Sequence, residues 1–250
     1  MKPLVLWTAL MVLGATATFA QRNVMEDRSA DSALLTWSDP SNWQVGLAYT
    51  RLSRPVELRG AEWDLTGDVV DAALGVSPWP WLLLYGQVGA SQATLDGVLR
   101  DEPSAGAGGL LGARLNVWQL NEGVQRTAWR VTLQAAGQYA YRTSEDDGDG
   151  DLQWNETLAM LPLNYHLSFA RTYRNAYMSE FQSVSVYAGP AYSKLDGTWT
   201  RRDVETDFEG KDEFGVVAGV DLWLLENLSF GFRADWFGGT SGQLTVLYRF

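Results

Sequence analysis

An alternation of apolar and polar side chains with a period of two residues constrains the fold of this chain more than any other feature. Between Trp129 and Tyr141 every odd position is apolar, aromatic or glycine, and the even positions include an arginine, a threonine and two glutamines. Strict alternation indicates a β-strand whose two faces meet different surroundings. Trp129, Tyr139 and Tyr141 lie near the ends of the apolar face, which is typical of a strand that crosses a membrane between two aromatic belts.

The same alternation recurs along the chain and predicts ten strands. Most of them exceed the ~9–11 residues that a tilted strand needs to cross the hydrocarbon core. They lie near residues 42–52, 66–77, 81–93, 105–118, 128–142, 152–169, 181–193, 212–224, 228–237 and 241–250. We therefore predict an all-β fold, a closed antiparallel transmembrane β-barrel of about ten strands.

Two prolines bear on the number of strands. Pro162 and Pro190 fall inside predicted strands, and a closed barrel offers no free edge where a missing N–H group would be harmless. A β-bulge at each proline would keep ten strands. A break at either proline would lower the number toward eight.

The connections between the predicted strands alternate in length. Short turns at one end of a barrel and longer, polar loops at the other are typical of bacterial outer-membrane barrels, in which the long loops lie outside the cell. Residues 77–80 and 225–227 read as tight turns, and the longer charged segments are 53–65, 92–106, 143–151 and 194–211. An even number of strands places both termini in the periplasm.

The N-terminal segment reads as a secretory signal peptide over residues 1–20, with Lys2 ahead of an apolar stretch and Thr18 and Ala20 before the cleavage point. Residues 21–41 are then a periplasmic tail and residues 42–250 the outer-membrane barrel. The chain carries 19 Lys and Arg against 30 Asp and Glu, which argues against a nucleic-acid partner. It has no cysteine, so disulfides and thiolate metal sites are excluded.

The last residues of the sequence, "QLTVLYRF" over 243–250, alternate in the same way and end on a phenylalanine, with a tyrosine third from the end. This stretch resembles the C-terminal signal of bacterial outer-membrane proteins, and residues 214–250 are similar to the closing strands of small OmpA/OmpX-like and porin-like barrels. The resemblance implies that the barrel-assembly machinery reads Tyr248 and Phe250. It also implies contact with outer-membrane lipid and lipopolysaccharide, and leaves the oligomeric state open.

The predicted register directs ten ionisable side chains into the lumen. Near-balance of opposite charges in a narrow lumen indicates a structural network, because buried charges need partners; the alternative is a narrow diffusion pore lined by the same residues. The bulky residues Tyr85, Trp118, Tyr187 and Trp223, which we also expect inside, favour a filled lumen. The ten are Asp71, Arg114, Arg130, Arg142, Glu156, His166, Asp221, Arg233, Asp235 and Arg249.

Residues 144–156, "SEDDGDGDLQWNE", partly match a calcium-binding loop. Glu145, Asp147 and Asp149 take the first, third and fifth positions, and Glu156 takes the twelfth, where a closing carboxylate is expected. The first ligand is a glutamate rather than an aspartate, and no flanking helices are predicted. The other interpretation is a solvated acidic hairpin loop without a bound cofactor, rich in turn-forming residues.

One histidine pattern points to an enzyme. The spacing of His166, Ser168 and Glu180 resembles the His-x-Ser…Glu triad of outer-membrane lipid A deacylases, which implies Ser168 as nucleophile, His166 as base and Glu180 as its orienting partner. The Asn-Ala-Gly stretch that follows the serine in that family is absent here. The sequence therefore favours a non-enzymatic barrel with a structural or surface-interaction role, acidic extracellular loops and a charged lumen; the alternatives are a narrow pore and, third, a lipid A-modifying hydrolase.

Overall fold

The computed structural model describes residues 42–79, 81–95, 103–124, 127–146, 150–169, 181–201, 204–224 and 227–250. The predicted signal peptide and periplasmic tail lie outside these residues. No helix in the described part of the chain is long and apolar enough to cross a membrane.

Twelve strands make up the described structure, and every pair of neighbours is antiparallel. They are β1 (Asn42–Leu58), β2 (Ala61–Trp79), β3 (Leu82–Leu95), β4 (Pro103–Val124), β5 (Thr127–Asp146), β6 (Gly150–Met160), β7 (Leu163–Phe169), β8 (Phe181–Arg201), β9 (Val204–Gly210), β10 (Phe214–Leu224), β11 (Leu228–Phe237) and β12 (Gly239–Arg249).

These strands form one closed barrel with ten strand positions. β6 and β7 both lie between β5 and β8, so they occupy a single position. β9 and β10 follow one another along β8 in the same way. The wall closes where β12 pairs with β1, from Gln44 opposite Arg249 to Arg51 opposite Gly242. The prediction of a closed antiparallel barrel of about ten strands is confirmed.

Pro162 and Pro190 cause neither a bulge nor the loss of a strand. Met160 pairs with Ala191 and Leu163 with Ala188, so the register continues unchanged across the gap between β6 and β7. The proline carbonyls still accept ladder bonds: the Gln134 N–H donates to Pro162 at 3.0 Å, and the Leu161 N–H donates to Pro190 at 3.0 Å. The barrel thus loses only the hydrogen bonds that an N–H group at these two positions would donate.

The structure corrects the prediction that residues 53–65 and 194–211 are long loops. β1 and β2 run on to a tight turn at Arg59 and Gly60, whose φ angles of 54° and 78° suit a two-residue hairpin. β8 and β9 form a second extended hairpin across the other segment. Charged residues can occupy the outer face of a strand once it has passed beyond the apolar band, so their density there did not mark a loop.

One predicted lumen residue lies on the opposite face of the wall. The register of β4 against β5 shifts between Asn116 and Trp118, which leaves Val117 as an extra residue. The bulge places Trp118 directly opposite Leu133, on the outward face, and Trp118 is 47% exposed. The prediction that Trp118 points inward was wrong because a bulge reverses the alternation beyond it.

The outer surface of the wall is an apolar band. Its exposed side chains include Val88, Leu111 and Leu244, which lie along the middle of their strands. Exposed aromatic residues flank the band, with Trp43, Trp79 and Trp118 toward the end that carries the chain termini, and Tyr49, Tyr141 and Trp236 toward the other. A surface of this kind matches a lipid bilayer and its two interfaces.

Candidate functional site

The end of the barrel opposite the chain termini contains a closely packed apolar core, which we call the outer core. Phe208 and Val56 are fully buried within it, and Trp63 and Trp199 pack against it from the side. Its members lie on the inward faces of β1, β2, β3, β6, β8 and β9. The buried members are Leu52, Val56, Leu58, Leu65, Ala93, Leu95, Leu152, Trp154, Leu195 and Phe208.

The wall around the outer core is completed by β9. The β11–β12 hairpin turns early, at Gly238, whose φ of 75° suits glycine. β1 therefore leaves β12 after Arg51, and pairs with β9 from Val56 to Leu58. Between these two stretches Ser241 fills the gap, since its hydroxyl accepts a bond from the Ser53 N–H and donates one to the Ser53 carbonyl.

A second apolar cluster lies one layer further toward the termini. On β6 the inward positions run from Trp154 in the outer core to Glu156 and then Leu158 in this second cluster. It comprises Leu158, Ala191, Val217 and Phe237, with Met160 and Tyr187 packed against it. The lumen is thus occupied by side chains at two levels.

Buried ion pairs fill the space between and beside these clusters. Arg142 donates two hydrogen bonds of 2.6 Å to the two carboxylate oxygens of Asp71, and both side chains are almost wholly buried. Arg233 pairs with Asp235 at 3.1 Å. The bidentate geometry of the Arg142–Asp71 pair gives its buried guanidinium and carboxylate most of the bonds they lose from water.

Arg54 organises a third group that the sequence prediction missed. It donates hydrogen bonds to Glu156 and Ser193, each at 3.1 Å, and its guanidinium lies 4.2 Å from the centre of the Phe237 ring. Ser193 in turn donates to Glu156 at 2.6 Å. Arg54 lies in a segment predicted to be a loop, although it shares the inward parity of Leu52 and Val56 and is found by extending the alternation.

The remaining predicted lumen residues lie toward the end that carries the termini. Arg130 is directly opposite His166, whose Nδ1 atom is 2.6 Å from the Ser185 hydroxyl. Arg114 interacts electrostatically with Asp221, and the Arg249 guanidinium lies 4.4 Å from the Trp223 ring centre. Each of the ten predicted positions therefore falls on the inner face of the wall.

A cavity of about 60 Å³ remains within the charged layer. Arg54, Arg142, Glu156, Arg233 and Asp235 contribute to its lining, together with glutamine, threonine and serine side chains. Three buried polar atoms of the residues that line this cavity make no hydrogen bond to other described residues: Arg54 Nε, Gln87 Oε1 and Asp235 Oδ1. A volume of this size holds only a few water molecules.

The structure describes only part of the suggested calcium loop. Asp147 and Asp149 lie outside the described residues. Glu145 is on the outward face, opposite Asp151, whereas Glu156 points inward to Arg54. No group of three or more metal-ligating side chains is positioned to hold an ion in the part of the chain that the structure describes. Calcium binding stays a prediction.

The suggested deacylase triad falls largely outside the description. Glu180 and the side chain of Ser168 lie among the residues that the structure does not describe. His166 lies inside the barrel, with Ser185 as a hydrogen-bonding partner. The enzymatic alternative stays a prediction.

The C-terminal strand forms the seam of the barrel. The Phe250 N–H donates to the Trp43 carbonyl at 3.0 Å, and the rings of Tyr248 and Phe250 contact each other edge to face at 5.5 Å. Tyr248 also accepts a hydrogen bond from the Asn227 side chain at 3.2 Å. Both aromatic side chains lie on the outward face near the rim.

Together these features define a closed antiparallel β-barrel with an apolar exterior and a filled, charged interior. No protein-family model matches the chain, and no curated protein matches it. Among solved structures, it is similar to the translocator domain of the autotransporter NalP from Neisseria meningitidis, at 8% identity over 99% of this chain and 95% of that one, with a TM-score of 0.33. It is also similar to OccK11 (OpdR) from Pseudomonas aeruginosa, at 9% identity over 83% of this chain and 95% of that one, with a TM-score of 0.13. These TM-scores are too low to support an inference about this chain.

Proposed function

We propose that this chain is an integral β-barrel of a bacterial outer membrane that does not conduct solutes at rest and serves a structural or surface-interaction role. The apolar outer band with its flanking aromatic residues supports placement in a bilayer. Its lipid-facing contacts would be outer-membrane lipid and lipopolysaccharide, and its C-terminal strand would engage the barrel-assembly machinery during insertion.

The observation that carries the non-conducting role is the filled interior. The outer core occupies one end of the lumen, and the buried Arg142–Asp71 and Arg54–Glu156 pairs occupy the layer beneath it. A path for ions would require water to pass through closely packed apolar side chains, which is energetically unfavourable. This favours a filled barrel over the narrow diffusion pore.

The orientation follows from the same proposal. The termini lie at the end opposite the extended hairpins and would face the periplasm, as expected for a bacterial outer-membrane barrel with an even number of strand positions. The extended hairpins β1–β2 and β8–β9 would then project from the cell surface. Because the outer core packs them together, they would present a folded surface to the medium.

Single-channel recording in planar bilayers tests this proposal. The protein is refolded into lipid, and its folding is checked by the change in gel mobility on boiling; a porin of known conductance controls for the apparatus. We expect no discrete conductance steps from folded protein. Regular steps would contradict the proposal and favour the narrow pore, and recovery of the native protein in the soluble periplasmic fraction would contradict the membrane placement.

A further inference from the structure

The weakest closure in the described wall is the short pairing between β1 and β9. It joins three residue pairs, Val56 with Gly210, Glu57 with Glu209, and Leu58 with Phe208. One more backbone bond extends it, from the Lys211 N–H to the Pro55 carbonyl at 3.1 Å. By contrast, β1 pairs with β12 over eight residue pairs. We call the β1–β9 pairing the outer seam.

Four carboxylates face outward in one row across this seam. Glu62 on β2 is directly opposite Glu57 on β1, which is opposite Glu209 on β9, which is opposite Asp196 on β8. Side chains directly opposite one another in an antiparallel pair lie about 4.5–5.5 Å apart at Cβ, and like charges in that arrangement are destabilising.

The two outer members of the row each have a lysine partner. Lys211 lies 2.6 Å from Glu62, and Lys194 lies 3.4 Å from Asp196. The hydrogen bond to Glu62 raises the pKa of Lys211, and the hydrogen bond to Asp196 raises that of Lys194. Both lysines therefore stay protonated up to a higher pH than a free lysine.

The two inner members share these lysines, since Lys211 also attracts Glu57 and Lys194 also attracts Glu209. The hydrogen bonds of the two lysines, however, go to Glu62 and Asp196. Glu57 and Glu209 are both exposed, and the next acidic side chains along their faces are Asp64 on β2 and Asp207 on β9. Four carboxylates in the row thus face two lysines, and the two that lack a hydrogen bond to a lysine, Glu57 and Glu209, lie at the seam itself.

We propose that the outer seam is a charge-controlled closure. Repulsion between Glu57 and Glu209 favours its opening, and neutralisation or screening of that pair favours its closing. On the inner face Phe208, Leu58 and Val56 hold the seam shut by packing in the outer core. Opening would uncover this core and Arg54, and so connect the internal cavity with the exterior. This inference goes beyond the proposed function and does not depend on which membrane holds the barrel.

Hydrogen exchange of the seam amides tests the closure in protein folded in detergent micelles at constant pH. The Lys211 amide is the main reporter, because its bond to Pro55 crosses the seam. Glu209→Lys and Glu57→Lys each replace the repulsion by an attraction, and we expect either to slow exchange about two- to fivefold. Glu205→Lys is the matched control, since Glu205 is on the same strand and exposed but faces Thr200; we expect it to leave exchange unchanged.

Ionic strength supplies a second readout that needs no substitution. Raising it from about 0.01 M to about 1 M shortens the Debye length from about 30 Å to about 3 Å, and should slow exchange at the seam in the native protein but not in Glu209→Lys. The proposal is overturned if the Glu57 and Glu209 variants exchange at the rate of the Glu205 control. It is also overturned if the native seam amides exchange no faster than those of the β1–β12 pairing.

Discussion

At the scale of single residues, burial rather than distance separates the ion pairs of this barrel. Arg142–Asp71 and Arg51–Asp68 both have a shortest contact of 2.6 Å. The first pair is buried, at 6% and 1% side-chain exposure, whereas the second is at 58% and 42%. A charge left alone in the interior cannot be compensated by water, so the two pairs should respond differently to the same change.

We predict that Asp71→Asn lowers the free energy of unfolding by about 3–5 kcal/mol, because it leaves the Arg142 guanidinium buried without its countercharge. Asp68→Asn is the matched control and should cost no more than about 1 kcal/mol. Urea unfolding of protein refolded into lipid vesicles, followed by tryptophan fluorescence, measures both values. Similar losses in the two variants would show that the Arg142–Asp71 pair is not a structural element of the lumen.

At the scale of the strand, β12 has two tasks that can be separated. Its inward residues include Gln243, which donates a hydrogen bond to Thr50 on the neighbouring strand β1, while its outward residues form part of the apolar band. Phe250 contacts its neighbours through one backbone bond to Trp43 and one ring contact with Tyr248. It therefore adds little to the finished wall.

We predict that deleting Phe250, or the change Phe250→Asp, reduces the yield of assembled barrel in cells more than it reduces the stability of barrel already folded. Leu244→Asp, on the same strand and face, is the control: it puts a charge within the apolar band, and should lower the stability of the folded barrel as well. The heat-dependent gel shift of membrane fractions measures assembly, and urea unfolding measures stability. Equal assembly of native protein and the Phe250 variants would refute a signalling role for this residue.

At the scale of the whole molecule, the barrel consists of two stacked regions: a body with an apolar exterior, and an extension whose inward side chains form the outer core. Phe208 lies at the outer seam, directly opposite Leu58. Its ring occupies the space beside Gly197, where an added Cβ atom would clash with the ring. Removing this ring should therefore affect the extension first.

We predict that Phe208→Ala costs about 3–5 kcal/mol of stability in the extension, through lost burial and the cavity left behind. Because Trp154 belongs to the outer core, its fluorescence should report an unfolding step at lower urea than the loss of the heat-dependent gel shift. Phe230→Ala, which removes an outward-facing ring, should produce no separate early step. A single transition in Phe208→Ala would mean that extension and body unfold as one unit.

The sequence by itself determined the fold class, the approximate strand positions and, within those strands, the direction of side chains such as Asp71 and Arg142. The reason is local: a period of two assigns residues to one side of a strand or the other without reference to any partner. The inward placement of Asp71, Arg142 and Glu156 could be predicted in this way. The same alternation extends to Arg54, but the density of charged residues around it favours a loop.

Only the tertiary structure decided which residues meet. Asp71 bonds to Arg142, 71 residues away in the sequence, and Arg54 bonds to Glu156, 102 residues away. Which of these side chains meet depends on the stagger accumulated from strand to strand around the closed wall. The reversal at Trp118 came from a bulge, and the pairing of β9 with β1 came from the early turn at Gly238. Alternation fixes the direction of a side chain, whereas its partner is set by closure of the barrel, which no local pattern encodes.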